Sequence, residues 1–215
     1  SISALIFCNF SNPDTKYNVC SIFSGFKVVF VAKNSLNSSS KDFSVFFVFC
    51  DSYTIFANSN KRFKNIHLLY SATDDGDSAQ DFHSKCDRKA PIIVLIKTKK
   101  NIIFGGYTEV PFLSSKKLKG NKDDNAFIFS VDKMKTYEVE KGAIATCSYR
   151  NYGPVFFGYE HENIYLYDDF FSDPGNVAKK GDRYKTNEDF EINNGEEYFD
   201  TEELEVYKVE YDELT

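Results

Sequence analysis

The sequence has no tryptophan and a single methionine, so its 22 Phe and 14 Tyr must supply nearly all large apolar bulk. Rings carried on strands are expected to dominate the core. Cysteine is sparse and odd in number: Cys8, Cys20, Cys50, Cys86 and Cys147 show no CxxC spacing. That argues against a disulfide framework and fits a reduced, intracellular protein. Long apolar runs are missing too. The longest, Val45 to Cys50, falls far short of the ~20 residues of a membrane helix, so a soluble chain without a transmembrane segment is expected. There is no basic n-region followed by an apolar h-region. Positive charge is not in excess. A net charge of −6 argues against nucleic acid or an anionic membrane as the main partner.

What the chain does have is concentrated between Leu68 and Phe112. Asp74-Asp75-Gly76-Asp77 is turn chemistry, with Gly76 available for a positive φ. Ser78 is a good N-cap, and Asp81 three residues later completes a capping-box pattern. Ala79, Phe82 and Cys86 then share one face of a short helix, which Asp87-Arg88-Lys89 ends and Pro91 cannot continue. Ile92 to Ile96 is an unbroken β-branched run, the pattern of a strand covered on both faces. Lys99-Lys100-Asn101 turns the chain into a partner strand over 102–107. Within it, Gly105 and Gly106 imply a bulge or a close backbone approach.

Residues 1–65 differ in character, holding ten of the 58 charged residues but half of the phenylalanines. Ala4–Phe10, Ile22–Ala32, Phe43–Cys50 and Tyr53–Ala57 read as strands, the last two as a hairpin through Asp51-Ser52. Such an apolar stretch cannot stand exposed, so it is expected to pack onto the main domain, taken as 66–215. Lys61-Arg62-Phe63-Lys64 reads as a solvated linker. The basic stretch Lys116 to Lys122 reads as a surface loop, or more sharply as a match for an acidic partner.

Farther on, Ala126 to Val131 alternates as a half-buried strand with Phe127, Phe129 and Val131 on one face. Tyr137–Val139, Ala143–Thr146, Val155–Gly158 and Ile164–Tyr167 read as short strands, and Asp168 to Asn194 as a long polar loop. Thr201 to Val209 is a closing strand whose carboxylates read as a solvated, edge-protecting face. Strand periodicity therefore predicts a mainly β (α+β) protein: a two-layer antiparallel β-sandwich with a few short flanking helices.

Candidate chemistry is thin. His83 and Cys86, three apart on the helix, offer two zinc-type ligands and no second pair, so no metal is expected. The same two lack an orienting group for nucleophilic catalysis, and Ser78 with His83 point to different sides. The carboxylates at Asp74, Asp75, Asp77 and Asp81 lack the ligand order of a calcium loop, and Phe104-Gly105-Gly106 is no phosphate-binding turn. No catalytic residue and no cofactor are assigned.

The blocks LLYSATDDGDSAQDFHSKCD, FGGYTEVPF, NAFIFSVD, NYGPVFFGY and EELEVYKV, in that order between Ile66 and Tyr211, resemble the TLDc domain family. The resemblance covers about two-thirds of the chain, and several spaced blocks are more specific than any one motif. It implies an intracellular β-sandwich with helices packed around it, linked to protection against oxidative stress and to binding of the vacuolar proton-pumping ATPase. It implies no established catalytic constellation. Phe112 stands where a Trp is frequent in the family, and Phe157 and Tyr159 interrupt a usually glycine-rich run. The matched residues Gly76, Ser78, Gly105, Gly106, Gly153 and Gly158 carry the pattern, serving turns and bulges or a partner-binding surface built on them. A non-enzymatic interaction module is thus the first functional reading. An unrecognised enzyme, thiol-dependent or hydrolase-like, is the alternative.

Overall fold

A computed structural model describes residues 63–133, 135–156, 163–178, 183–185 and 191–211, with side chains from residue 66 onward, and the strand backbone of 11–12, 15–24, 26–35, 43–49 and 53–59. The chain divides into two compact units. One comprises 1–66, 134–136 and 209–215; the other comprises 67–133 and 137–208.

The first unit holds a five-stranded antiparallel meander in sequence order: β1 (Ser11–Asn12), β2 (Thr15–Ser24), β3 (Phe26–Ser35), β4 (Phe43–Phe49) and β5 (Tyr53–Ser59). The expected single strand at Ile22–Ala32 is two, since β2 and β3 pair from Thr15↔Ser35 to Ser24↔Phe26. The Phe43–Phe49 and Tyr53–Ser59 strands pair as expected, with Phe49 opposite Tyr53. The strand expected at Ala4–Phe10 lies outside the described residues.

Then come β6 (Phe63–Ser71), helices α1 (Ala72–Asp75) and α2 (Ala79–Cys86), and strands β7 (Ile92–Thr98), β8 (Ile103–Thr108), β9 (Lys119–Lys122) and β10 (Phe127–Ser130). They are followed by β11 (Lys135–Glu138), β12 (Ile144–Ser148), β13 (Val155–Phe156), β14 (Ile164–Tyr165), β15 (Val177–Ala178) and β16 (Thr201–Tyr211). One sheet runs β11-β10-β8-β7-β16-β6 and the other β15-β14-β13-β12-β9. These two antiparallel sheets form the expected sandwich.

A large apolar cluster joins the two sheets. Val94, Ile96, Phe104, Ile128, Leu204 and Val206 from the first sheet meet Ala145, Phe156 and Ile164 from the second. β7 is the hub: Ile92 to Ile96 are all buried, and the strand lies between β8 and β16, with Val94 opposite both Gly106 and Val206. The unbroken apolar run is explained by cover on both faces.

Three expectations change. All four residues of β10 are buried, so this strand is covered on both faces and not half exposed. The stretch 168–194 is no plain polar loop: it buries Phe170, Asn176, Val177, Ala178 and Tyr184 and carries β15 and a 3-10 turn at Glu191–Asn193. β16 is neither an edge nor a uniformly solvated face. It sits between β7 and β6, Glu205 is buried, and Glu203 accepts hydrogen bonds from the Ser71 and Thr73 hydroxyls.

Candidate functional site

Local sequence positions α2. The Ser78 hydroxyl accepts from the Asp81 N–H at 3.1 Å while the Asp81 carboxylate accepts from the Ser78 N–H at 3.4 Å, which completes the capping box. Gly76, at φ +101°, ends α1 and passes the chain to that cap, and its carbonyl accepts the Tyr70 hydroxyl. Phe82 and Cys86 then enter the core. Phe82 packs edge-on against Tyr70 and Phe112, and Phe112 in turn against Phe156.

Distant segments are stitched to this helix. Asp168 places a carboxylate oxygen 2.6 Å from the Ala79 N–H, at the helix end where a negative charge is favoured. The Phe170 N–H donates to the Asp77 carbonyl at 2.9 Å. At the other end, buried His83 is held on both sides: Nδ1 lies 2.6 Å from Asp87 Oδ1 and Nε2 lies 2.9 Å from the Tyr149 carbonyl. Each ring nitrogen thus has a protein oxygen at hydrogen-bond distance, and neither is left facing open space for a metal or a substrate. The second Asp87 oxygen accepts the Ser114 N–H and hydroxyl at 2.7 and 2.6 Å.

His83, Asp87, Ser114, Arg150 and Asp168 line a hollow of about 530 Å³. Serine, aspartate and histidine are all present, but in the wrong order for catalysis. Asp87 stands between the other two, so the Ser114 hydroxyl meets a carboxylate and not the histidine. Of the two cysteines whose side chains are described, Cys86 is fully buried and its burial pushes the thiol well above its usual range, as burial also raises Cys147.

The family model for the TLDc domain matches residues 47–210, most of the chain. The chain belongs to the TLDc domain family. The match begins ahead of Ile66, inside β4, so the family's own boundary takes in part of the N-terminal sheet. No curated protein matches the chain.

The residues that carry the TLDc pattern fall into two places. Gly76 and Ser78 open α2, and Gly153 lies in a turn tied to them through one residue, Phe170. A Cβ on Gly153 would stand 2.6 Å from the Phe170 ring, and Phe170 is bonded to Asp77. Gly105 and Gly106 lie apart from this group, buried in β8. There the close approach comes from inside the domain, from the Val94 carbonyl and the Phe129 ring at Gly105 and from the Phe156 ring at Gly106. Gly158, with Phe157, Tyr159 and His161, lies outside the described residues. Phe112, at the family's frequent Trp position, is fully buried between Phe82 and Phe156.

Sequence reasoning did not find Asp168, Asp87, Ser114 and Arg150 as neighbours of the helix. The one available signal was their chemistry as polar side chains beside turns, which many loops share.

Proposed function

We propose that this TLDc chain is a non-enzymatic protein-interaction module whose docking surface is built on the turns at Gly76, Ser78 and Gly153 around the start of α2. The observation that carries the reading is the state of the polar groups there. His83, Asp87, Ser114 and Asp168 spend their hydrogen bonds on holding segments together, while Gln80, Asn151 and the unpaired Arg150 stand exposed beside them. A rigid frame with free polar groups on its rim suits recognition, not turnover. Gly105 and Gly106 serve that surface from within by letting the sheets pack closely.

For the partner, family membership favours the vacuolar proton-pumping ATPase, or a trafficking or oxidative-stress-response assembly, and hence an intracellular setting. The test is capture of the purified soluble sector of that ATPase by the full chain, alongside Arg150→Glu and Gln80→Arg variants shown by thermal melting to be folded. Capture by the parent and loss of most of it in a folded variant is the expected result. Equal capture by all would move the surface elsewhere, and no capture by the parent would remove this partner. The thiol-dependent alternative is opposed by the burial of Cys86 and Cys147.

A further inference from the structure

The fold covers two of its sheet ends with backbone from later in the chain. β15 is met by Tyr198, which bridges Val177, and by the Glu197 carbonyl, which accepts the Ala178 N–H at 2.8 Å. β11 is met by 183–185. Tyr184 bridges Val139, the Lys185 N–H donates to the Glu138 carbonyl at 3.0 Å, and Arg183 accepts from the Glu140 N–H at 2.7 Å. β9, the other end of the second sheet, receives no such cover among the described residues. It runs in regular register against β12 from Ser148↔Lys119 to Thr146↔Asn121, and the Asn121 amide anchors it from below by donating to the Thr146 and Ser148 hydroxyls. The result is a well-held strand whose outer backbone groups meet no partner among the described residues.

Its side chains are of one kind. Lys116, Lys117, Lys119 and Lys122 are exposed and without an ion-pair partner among the described residues, in a chain whose net charge is −6. Leu118, between two of them, is 55% exposed. Lys119 and Lys122 stand at the two ends of the strand, with the register against β12 shifting between Asn121 and Lys122, so an added strand would meet positive charge along its length. Lysines on an edge also keep two copies of one chain from pairing, because like charges would be brought together. The same lysines attract a strand of opposite charge.

We propose that β9 is a docking edge for an acidic, extended segment of a partner protein, which adds to the sheet as a further strand. This deepens the protein-interaction reading and rests on it. Backbone pairing along the edge supplies binding, the lysines select carboxylates, and Leu118 offers an apolar contact. An anionic membrane is the weaker occupant, since one exposed leucine on an acidic chain gives little insertion.

The test uses a fluorescein-labelled peptide of alternating Glu and Val against the full chain, followed by anisotropy and by amide hydrogen exchange. Binding that weakens with salt, new protection of the amides of residues 119–122, and a loss on the order of tenfold in a folded Lys119→Glu/Lys122→Glu variant are expected. A backbone N-methylated form of the peptide, equal in charge but unable to pair, should bind far more weakly. Equal binding of the N-methylated form, or no binding of the acidic peptide, overturns the inference. Binding of phosphatidylserine vesicles without the peptide would also overturn it and assign the edge to a membrane. The wider reading is scored separately. If the full chain captures its partner and the double-lysine variant captures it equally, only the β9 assignment falls; if the parent captures nothing, the partner reading falls.

Discussion

The ring of Phe156 occupies the space that a Cβ on Gly106 would need, with two ring carbons 2.5 and 2.6 Å from that point. These residues belong to β13 and β8, on opposite sheets, so the absent side chain sets how closely the layers meet. Gly106→Ala should cost about 1–3 kcal/mol by overpacking. Phe156→Leu in the same chain should return part of that loss, a non-additivity measurable by urea denaturation of the four proteins in the cycle. Purely additive effects would mean that Phe156 does not meet this position.

Asp168→Ala removes the carboxylate from the Ala79 N–H and should cost about 1 kcal/mol, the usual worth of a helix cap. Hydrogen exchange at Ala79 should quicken while that of β7 stays slow. Unchanged exchange at the helix start would show that Asp168 does not hold it.

His83→Phe keeps a buried ring but removes the polar contacts of the ring nitrogens with Asp87 and the Tyr149 carbonyl. A loss of about 1–3 kcal/mol is expected, read from the midpoint of denaturant unfolding. A variant as stable as the parent would show that these bonds contribute nothing net.

Burial keeps the Cys86 and Cys147 thiols above their ordinary range, so neither should react readily with a thiol reagent at mildly alkaline pH in the native chain. Both should react in denaturant. Fast native labelling of Cys86 would revive a thiol-dependent activity.

Burial alone would raise Asp75, but hydrogen bonds from Lys85 Nζ and the Ser71 N–H hold it below its ordinary value. A carboxylate depressed in the folded state stabilises above its unfolded pKa, and that contribution is lost as pH falls through the folded one. Asp75→Asn should therefore be the less stable protein at neutral pH and converge with the parent in strong acid. Parallel stability curves across that range would contradict this.

How much of this was legible depended on range. The capping box at Ser78 and Asp81 and the buried run Ile92–Ile96 are written in adjacent residues, and both appear where expected. The stitching of Asp168 to Ala79 joins positions 89 residues apart, and no local pattern marks it. Gly105 and Gly106 signalled that something comes close to β8. A glycine does not say from which side, and the neighbours turned out to be Val94, Phe129 and Phe156 of the same domain. In β16, alternation correctly separates Leu204 and Val206 from Glu203 and Glu205. Whether the carboxylate face meets water depends on elements elsewhere, and Glu205 is buried.

The position of β16 bears on how the molecule is made. The strand that fills the gap between β7 and β6 comes later in the chain than either of them. Until residue 211 has been synthesised, one edge of Ile92–Ile96 stays open, a short β-branched run of the kind that seeks another strand. The nascent chain thus carries a sticky segment uncovered until β16 emerges, which makes it a natural client for chaperones. A chain stopped at residue 200 should remain in that condition: insoluble when expressed alone, and recovered when a peptide spanning 201–211 is supplied in trans.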